Sequence, residues 1–379
     1  MEHEPAAAPA RMAVLGGGIL GVSTAVHLLR GGADVTLVTE AEPASGASGR
    51  SLSWLNSAGP KPEAYHRLRM AGIDRYRTLL AQNPGIDWLD FPGGLYWAGQ
   101  EGDADTAERH QAEAAHGYDS QLLRTPAKEL PALTGAVDPS AVPGTAVNNP
   151  GEGWVSLPHL IDHLLREFSS RGGVLLSGAG KAAVAVEAGR VSGLRLESGE
   201  LVPADTVLVA AGTETPALLK RLGVTIPDAS DLAMLLVTEP TGASPAAVLN
   251  TPRVSVRPHP GGRLAMDHTW YLDRITRAED GTYAVDPAVV HELAGEASRV
   301  LAGHPDLRPA EWKIGLKPVP GDGLPVLGEL QQVPGCFVAF THSGATLGLI
   351  AGELLAREML TGTRHPLLEE FRAERFGQG

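Results

Sequence analysis

Apolar positions run along this chain in two rhythms. "RMAVL", from Arg11, is a short apolar strand, and "ILGVSTAVHLLRGG" places Leu20, Thr24, Ala25 and Leu28 on one helical face before Gly31 and Gly32 end it. "ADVTLVTE" follows as a second buried strand, so the chain opens strand, glycine turn, helix, strand. "TVLVAAG" is a later strand that ends in the small residues Ala210, Ala211 and Gly212. "CFVAFTHSGATLGLIAGELLAREML" reads as strand, polar turn and long helix. Between these, "VAVEAGRVSGLRLESGELV" predicts a small β-meander. "VSVRPHPGGRLAMDHTWYL" predicts an antiparallel hairpin turning at Pro260, Gly261 and Gly262. "PAVVHELAGEASRVL" has helical spacing at Val289, Leu293, Ala297 and Leu301. "EAYHRLRMAGIDRYRTLL" carries Arg67, Arg69, Arg75 and Arg77, but Leu68, Ile73, Tyr76 and Leu80 form its apolar face, so the arginines are expected on a solvated one.

The first turn adds chemistry. Gly16, Gly18 and Gly21 stand in the order G-x-G-x-x-G between a strand and a helix. That context suits a dinucleotide: Gly16 for the tight turn, Gly18 for close approach to a pyrophosphate, Gly21 for helix–strand packing. The helix's first free N–H groups, from Ile19 and Leu20 on, would meet the phosphate charge. An acidic residue just past the second strand would bind a ribose. The turn His342–Thr346 would aim a second set of helix N–H groups at something polar or anionic.

Composition narrows the classes. A chain of 379 residues exceeds one ordinary core and predicts two domains, either in tandem or with one interrupting the other in sequence. The formal charge of −13 argues against nucleic acid or an anionic membrane as partner. No apolar run reaches the roughly 18 to 20 residues that span a bilayer. "MEHEPAAAPA" lacks the features of a signal peptide, and residues 1–10 read as a disordered tail. One cysteine, Cys336, permits no internal disulfide, and a reducing cytoplasm is the expected location. His159 and His163 have a metal-compatible spacing but no third ligand nearby, and no metal is expected. "LLSGAGKAA" has Leu175 and Ala182 where a phosphate loop needs Gly and a hydroxyl.

Four blocks, in order from residue 11 to about 360, resemble the flavoprotein family of D-amino acid oxidase, glycine oxidase and monomeric sarcosine oxidase. They are the glycine turn, "SGASGRS" (Ser45 to Ser51), "ADTVLVAAG", and "GLKPVPGDGLPVLG" followed by the C-terminal turn. The resemblance implies an α/β fold: a Rossmann-like FAD-binding domain with a parallel sheet, and a second α+β substrate domain on an antiparallel sheet. It implies FAD-domain segments 11–85, 150–215 and 325–379 and substrate-domain segments 86–149 and 216–324. The implied FAD contacts are Gly16, Gly18, Ile19, Leu20, Gly21, Thr39, Glu40, Ser45, Ala47, Ser48, Gly49, Arg50, Ser51, Leu52, Val184, Ala211, Gly212, Gly344, Ala345, Thr346 and Leu347. The implied activity is oxidation of a C–N bond in a small amine or amino acid by hydride transfer to flavin, giving an imine, with O2 reduced to H2O2.

Three positions depart from the family pattern. Thr39 aligns with the ribose-binding acid and Glu40 lies one place later, on the other face of an extended chain. Lys317 replaces the arginine of G-L-R-P, so a bidentate carboxylate fork becomes a point charge. The arginine or lysine that relatives carry near Gly344 or Gly348 is missing, and so is the flavin-linking cysteine near Lys317; non-covalent FAD is expected. Lys317 and His342 are the candidates for a positive group beside the flavin that favours oxygen reduction. Arg50, Trp54, Asn56, Arg257, His268 and Tyr271 are the candidates for the substrate pocket. Alternatives are a dehydrogenase on the same scaffold with a larger amine substrate and a non-oxygen acceptor, and a non-catalytic flavin-binding derivative. A nicotinamide-using monooxygenase would need a second dinucleotide fingerprint, which is not found.

Overall fold

The computed structural model describes residues 9–99 and 102–377. Residues 1–8 of the expected tail lie outside the described residues. The chain forms two compact units, each discontinuous in sequence: Met1–Gly49, Pro158–Asp231 and Lys317–Gly379 in one, Arg50–Leu157 and Leu232–Leu316 in the other.

The first unit is built on a six-stranded sheet in the order Val326–Glu329, Cys336–Phe340, Thr206–Val209, Arg11–Leu15, Asp34–Val38, Val174–Leu176. Its pairs are parallel except the first, where Val326–Glu329 runs against Cys336–Phe340. The central strands are buried almost throughout, which is why they read as continuous apolar runs. Helix Ile19–Arg30 packs along helix Gly344–Thr361, and Gly352 permits the approach, since a Cβ there would run into Ser23. The expected meander forms, as strands Ala182–Glu187, Arg190–Leu196 and Leu201–Pro203. Its inner residues Ala182, Val191, Leu194 and Val202 share a core with Val207, Val209 and Val338 of the large sheet.

The second unit carries an eight-stranded sheet in the order Pro309–Lys317, Asp231–Thr238, Arg263–Asp267, Ser255–His259, Val248–Asn250, Gly94–Tyr96, Ala146–Asn149, Gln121–Leu123. Val248–Asn250 and Gly94–Tyr96 are parallel, and the other described pairings are antiparallel. The expected hairpin is present, with His259 opposite Arg263 and positive φ at Gly261 and Gly262. The expected helix runs Pro287–Val300, capped by the Asp286 carboxylate on the Ala288 amide. It buries Val289, Leu293 and Ala297 against the sheet.

Residues 50–85 and 150–157 group with the second unit, not with the segments 11–85 and 150–215 as expected from sequence. The reason is bonding to the rest of that unit: the Ser57 amide donates to the Tyr118 hydroxyl at 3.0 Å and the Gly59 amide to the Glu113 carboxylate at 2.7 Å. Helix Glu63–Gln82 is tied by Arg69 to the Asn56 carbonyl at 2.8 Å and by Arg77 to the Gly151 carbonyl at 2.7 Å. Arg69 also corrects the reading of this helix's arginines as a solvated face, because it is buried and its fork serves the neighbouring loop. No helix among the described residues is long and apolar enough to cross a membrane. Among the described residues there is also no cluster of three His, Cys, Asp or Glu placed to hold a metal.

Candidate functional site

In the first unit, strand Arg11–Leu15 ends in a cradle made of backbone. The Gly16 amide donates to the Val38 carbonyl at 2.8 Å, at a φ of 125° that disfavours any side chain. A Cβ at Gly16 would collide with the Ala210 carbonyl, and one at Gly21 with the Gly16 carbonyl. These contacts draw "VAAG" against the glycine turn and seat the helix on it. The second glycine of the motif, Gly18, caps the helix without a side chain, and the Ile19 amide is met by the Ser48 hydroxyl at 3.1 Å.

The loop that carries Ser48 folds tightly beside this turn. The Ala44 amide donates to the Gly17 carbonyl at 3.0 Å, Ala44 has a φ of 62°, and a Cβ at Gly49 would collide with the Ala44 carbonyl. Ser45, Ala47, Ser48 and Gly49 therefore lie beside the glycine turn. Ala211 and Gly212 follow the strand that abuts Gly16, and space is open where a Gly212 side chain would stand. The helix that begins at Gly344 starts beside the helix that begins at Ile19: a Cβ at Gly344 would stand 3.7 Å from the Ile19 Cγ2. Neither helix has an acidic residue in its first turn. Two positive helix ends thus converge over a glycine cradle without side chains, an arrangement that fits a dinucleotide's phosphates and polar ring edge. Among the remaining implied contacts, Ala345 is half-buried while Thr346 and Leu347 turn into the core, and Val184 sits in the small meander opposite Leu194.

At the end of the second strand Thr39 and Glu40 face different surroundings. Thr39 is buried, packs against Gly17 and donates its hydroxyl to the Ala41 carbonyl, while Glu40 is exposed. Glu40 carries its carboxylate on the exposed strand end, while Thr39's hydroxyl is engaged locally. Lys317 is half-buried, and His342 is exposed just ahead of the helix that begins at Gly344.

In the second unit, Arg50 lays its guanidinium against Gly315, where a side chain would collide with it, and donates to the Leu316 carbonyl at 3.2 Å. Burial lowers its pKa from the ordinary value. Ser51 and Ser53 bond each other across a corner at Leu52, with Ser53 buried at a φ of 57°. Trp54 is half-buried, pairs across the strand with Trp154 and packs against Leu52, Leu235, Val237 and Ala265.

Three expected pocket residues are placed otherwise. Tyr271 is fully buried in the core; its hydroxyl donates to the Met234 carbonyl and accepts from the His268 amide. Asn56 has spent its carboxamide on Trp54, Ala58 and Arg69. Arg257 is 1% exposed, lies over the Trp154 ring at 4.9 Å and donates to the carbonyls of Leu52 and Pro258. These corrections share one cause: each polar group meets an unpaired backbone group nearby, and burial makes that partner obligatory. His268 is half-buried, and burial lowers its pKa.

Beneath this loop lies a buried polar network that the sequence did not signal. Tyr118 donates to Glu152 at 2.8 Å and accepts from the Ser57 amide at 3.0 Å; Glu113 accepts from the Gly59 amide at 2.7 Å; Lys61 donates to the Ala58 carbonyl. Burial pushes the Glu152 carboxyl up to about 7 and the Lys61 amine down to about 8. In "NPGEGW" Glu152 is a lone acid among glycines, with no periodicity to mark it as buried.

A model of the FAD-dependent oxidoreductase (DAO) family matches residues 11–358. The chain is 26% identical to a D-amino acid dehydrogenase of Methylobacterium sp., covering 97% of this chain and 99% of that one. It is 27% identical to a glycine oxidase of Pseudomonas aeruginosa, covering 95% and 96%. Its fold superposes on an L-amino acid deaminase from Proteus vulgaris with a TM-score of 0.82 at 19% identity, over 99% of this chain and 97% of that one. With a family match that runs through both units, the chain belongs to the FAD-dependent oxidoreductase (DAO) family.

Proposed function

We propose that the protein is an oxidase of a small amine or amino acid, with FAD held non-covalently and O2 as electron acceptor. The observation that carries this reading is the convergence of two helix starts, at Ile19 and Gly344, over the Gly16–Gly18–Gly21 cradle of a chain of this family. In this reading the first unit is the FAD-binding domain. Gly16, Gly18, Gly21, Ala211 and Gly212 hold the dinucleotide by backbone approach, the positive end of the helix that begins at Gly344 favours its polar edge, and Glu40 takes the ribose. The second unit supplies the substrate-binding residues Arg50, Trp54 and His268.

When bound, FAD would supply the two-electron acceptor for C–N oxidation, with O2 as the terminal oxidant and H2O2 as its product. The chain's own part is to orient the amine, keep it neutral and exclude water. Trp54 offers apolar bulk to wall the substrate, and Arg50 and Lys317 offer charge for an anionic group. Non-covalent attachment is supported by Cys336, a buried strand residue whose thiol burial pushes up to about 12, far from a reactive thiolate.

A second reading, a dehydrogenase that passes electrons to another acceptor, is favoured by the similarity to a D-amino acid dehydrogenase. Oxygen uptake and peroxide release, followed with a turned-over amine and repeated with a dye acceptor, distinguish the two. Peroxide equal to product supports the oxidase; dye reduction without oxygen uptake supports the dehydrogenase.

A further inference from the structure

Arg257 is the least expected charge in the second unit. It stands on strand Ser255–His259, whose neighbour Arg263–Asp267 places Ala265 opposite it. It is buried, yet among the described residues no carboxylate lies within ion-pair distance of it. Burial pulls its pKa down to about 9, and Asp267 offsets this only from further away. A buried cation without a paired anion is costly, and each hydrogen bond or ring contact its guanidinium makes offsets part of that cost. Here Nε goes to the Leu52 carbonyl, 205 residues away in the chain, one Nη goes to the Pro258 carbonyl and His259, and the guanidinium plane lies on Trp154. Leu52 in turn is the corner between Ser51 and Ser53, where Ser53 is held buried in a left-handed conformation that a serine adopts only under constraint.

We propose that Arg257 is a positioning residue: it fixes the Leu52 carbonyl and with it the strained corner of the loop that carries Arg50 and Trp54, and it does not touch the substrate. The inference rests on the functional reading for the loop's role, but its structural half stands alone. Arginine suits the task where lysine would not. A planar fork can serve carbonyls in two directions while stacking on an indole, and an ammonium cannot. The loop needs such an anchor because, among the described residues, Trp54 and Leu55 are the part of this stretch that joins a sheet and no strand pairs with the Leu52 carbonyl.

The test uses the full-length protein and two variants, Arg257→Met and Arg257→Lys. Hydrogen exchange is read along the apo chain, and FAD dissociation constants and amine kinetics are read on the loaded protein. The expected result is faster exchange concentrated at residues 50–54 in both variants, an FAD dissociation constant raised by about tenfold in Arg257→Met, and a fall in kcat larger than any rise in KM. Three results would overturn the proposal. Unchanged exchange at residues 50–54 removes the anchor. Faster exchange spread evenly over the eight-stranded sheet makes Arg257 an ordinary core residue. A rise in KM alone, with exchange and FAD affinity intact, makes it a substrate ligand. If Arg257→Met does not fold, Arg257→Lys carries the same comparison. If the wild-type protein takes up no FAD, the functional reading falls while the exchange comparison still decides the anchor.

Discussion

Gly16 combines a φ of 125° with a carbonyl, that of Ala210, standing where a side chain would begin. Gly16→Ala is therefore expected to cost about 1–3 kcal/mol of stability and to abolish FAD uptake, measured by thermal melting and by retained flavin absorbance. Full flavin loading in that variant would show that the cradle is not the cofactor site. If Lys317 holds an anionic substrate group, Lys317→Ala should raise KM for such a substrate sharply and leave FAD bound, and unchanged kinetics would end that role. Glu152 makes a pH argument. Its carboxyl is raised from 4.5 to about 7 by burial, so the folded state binds the extra proton between those values. Stability from this group is full below pH 4.5, falls as pH rises towards 7 and levels off above it, by at most about 3 kcal/mol. Glu152→Gln removes the titration, so its melting temperature should gain on the wild type from pH 4.5 to 7. Melting curves that stay parallel across that range would contradict this reading of Glu152.

The helix pair Ile19–Arg30 and Gly344–Thr361 sets where two helix starts meet, and Gly352 against Ser23 sets how closely the pair packs. Gly352→Val should overpack that contact at a cost of about 1–3 kcal/mol, seen as a lower melting temperature with weakened FAD retention; a wild-type melt and normal retention would mean the packing is looser than described. Elements of this kind were legible in the sequence because their signals are local. The glycine turn, the buried strands, the hairpin at Gly261–Gly262 and helix Pro287–Val300 each carry their own period or turn residues. The loop anchors were not legible for the opposite reason. Arg69, Tyr118, Glu113 and Arg257 serve backbone groups far along the chain, and a periodicity that counts apolar positions assigns such side chains to the surface. Tyr271 misled in the same way: a polar tip on a hairpin looks available until its hydroxyl is found bonded to Met234 in the core.

For the whole molecule, both units come from interleaved segments, and the family match spans them from residue 11 to 358. The cofactor assignment rests on the first unit and the substrate assignment on the second, and one experiment addresses both. The purified protein, loaded with FAD and kept anaerobic, is titrated with glycine, sarcosine and D-amino acids beside amines that lack the carboxylate, while the flavin spectrum is followed. Bleaching of the flavin by at least one member is the expected result, and whether the carboxylate is required reports on Lys317 and Arg50 as anion partners. A protein that remains colourless because it takes up no FAD would contradict the central claim.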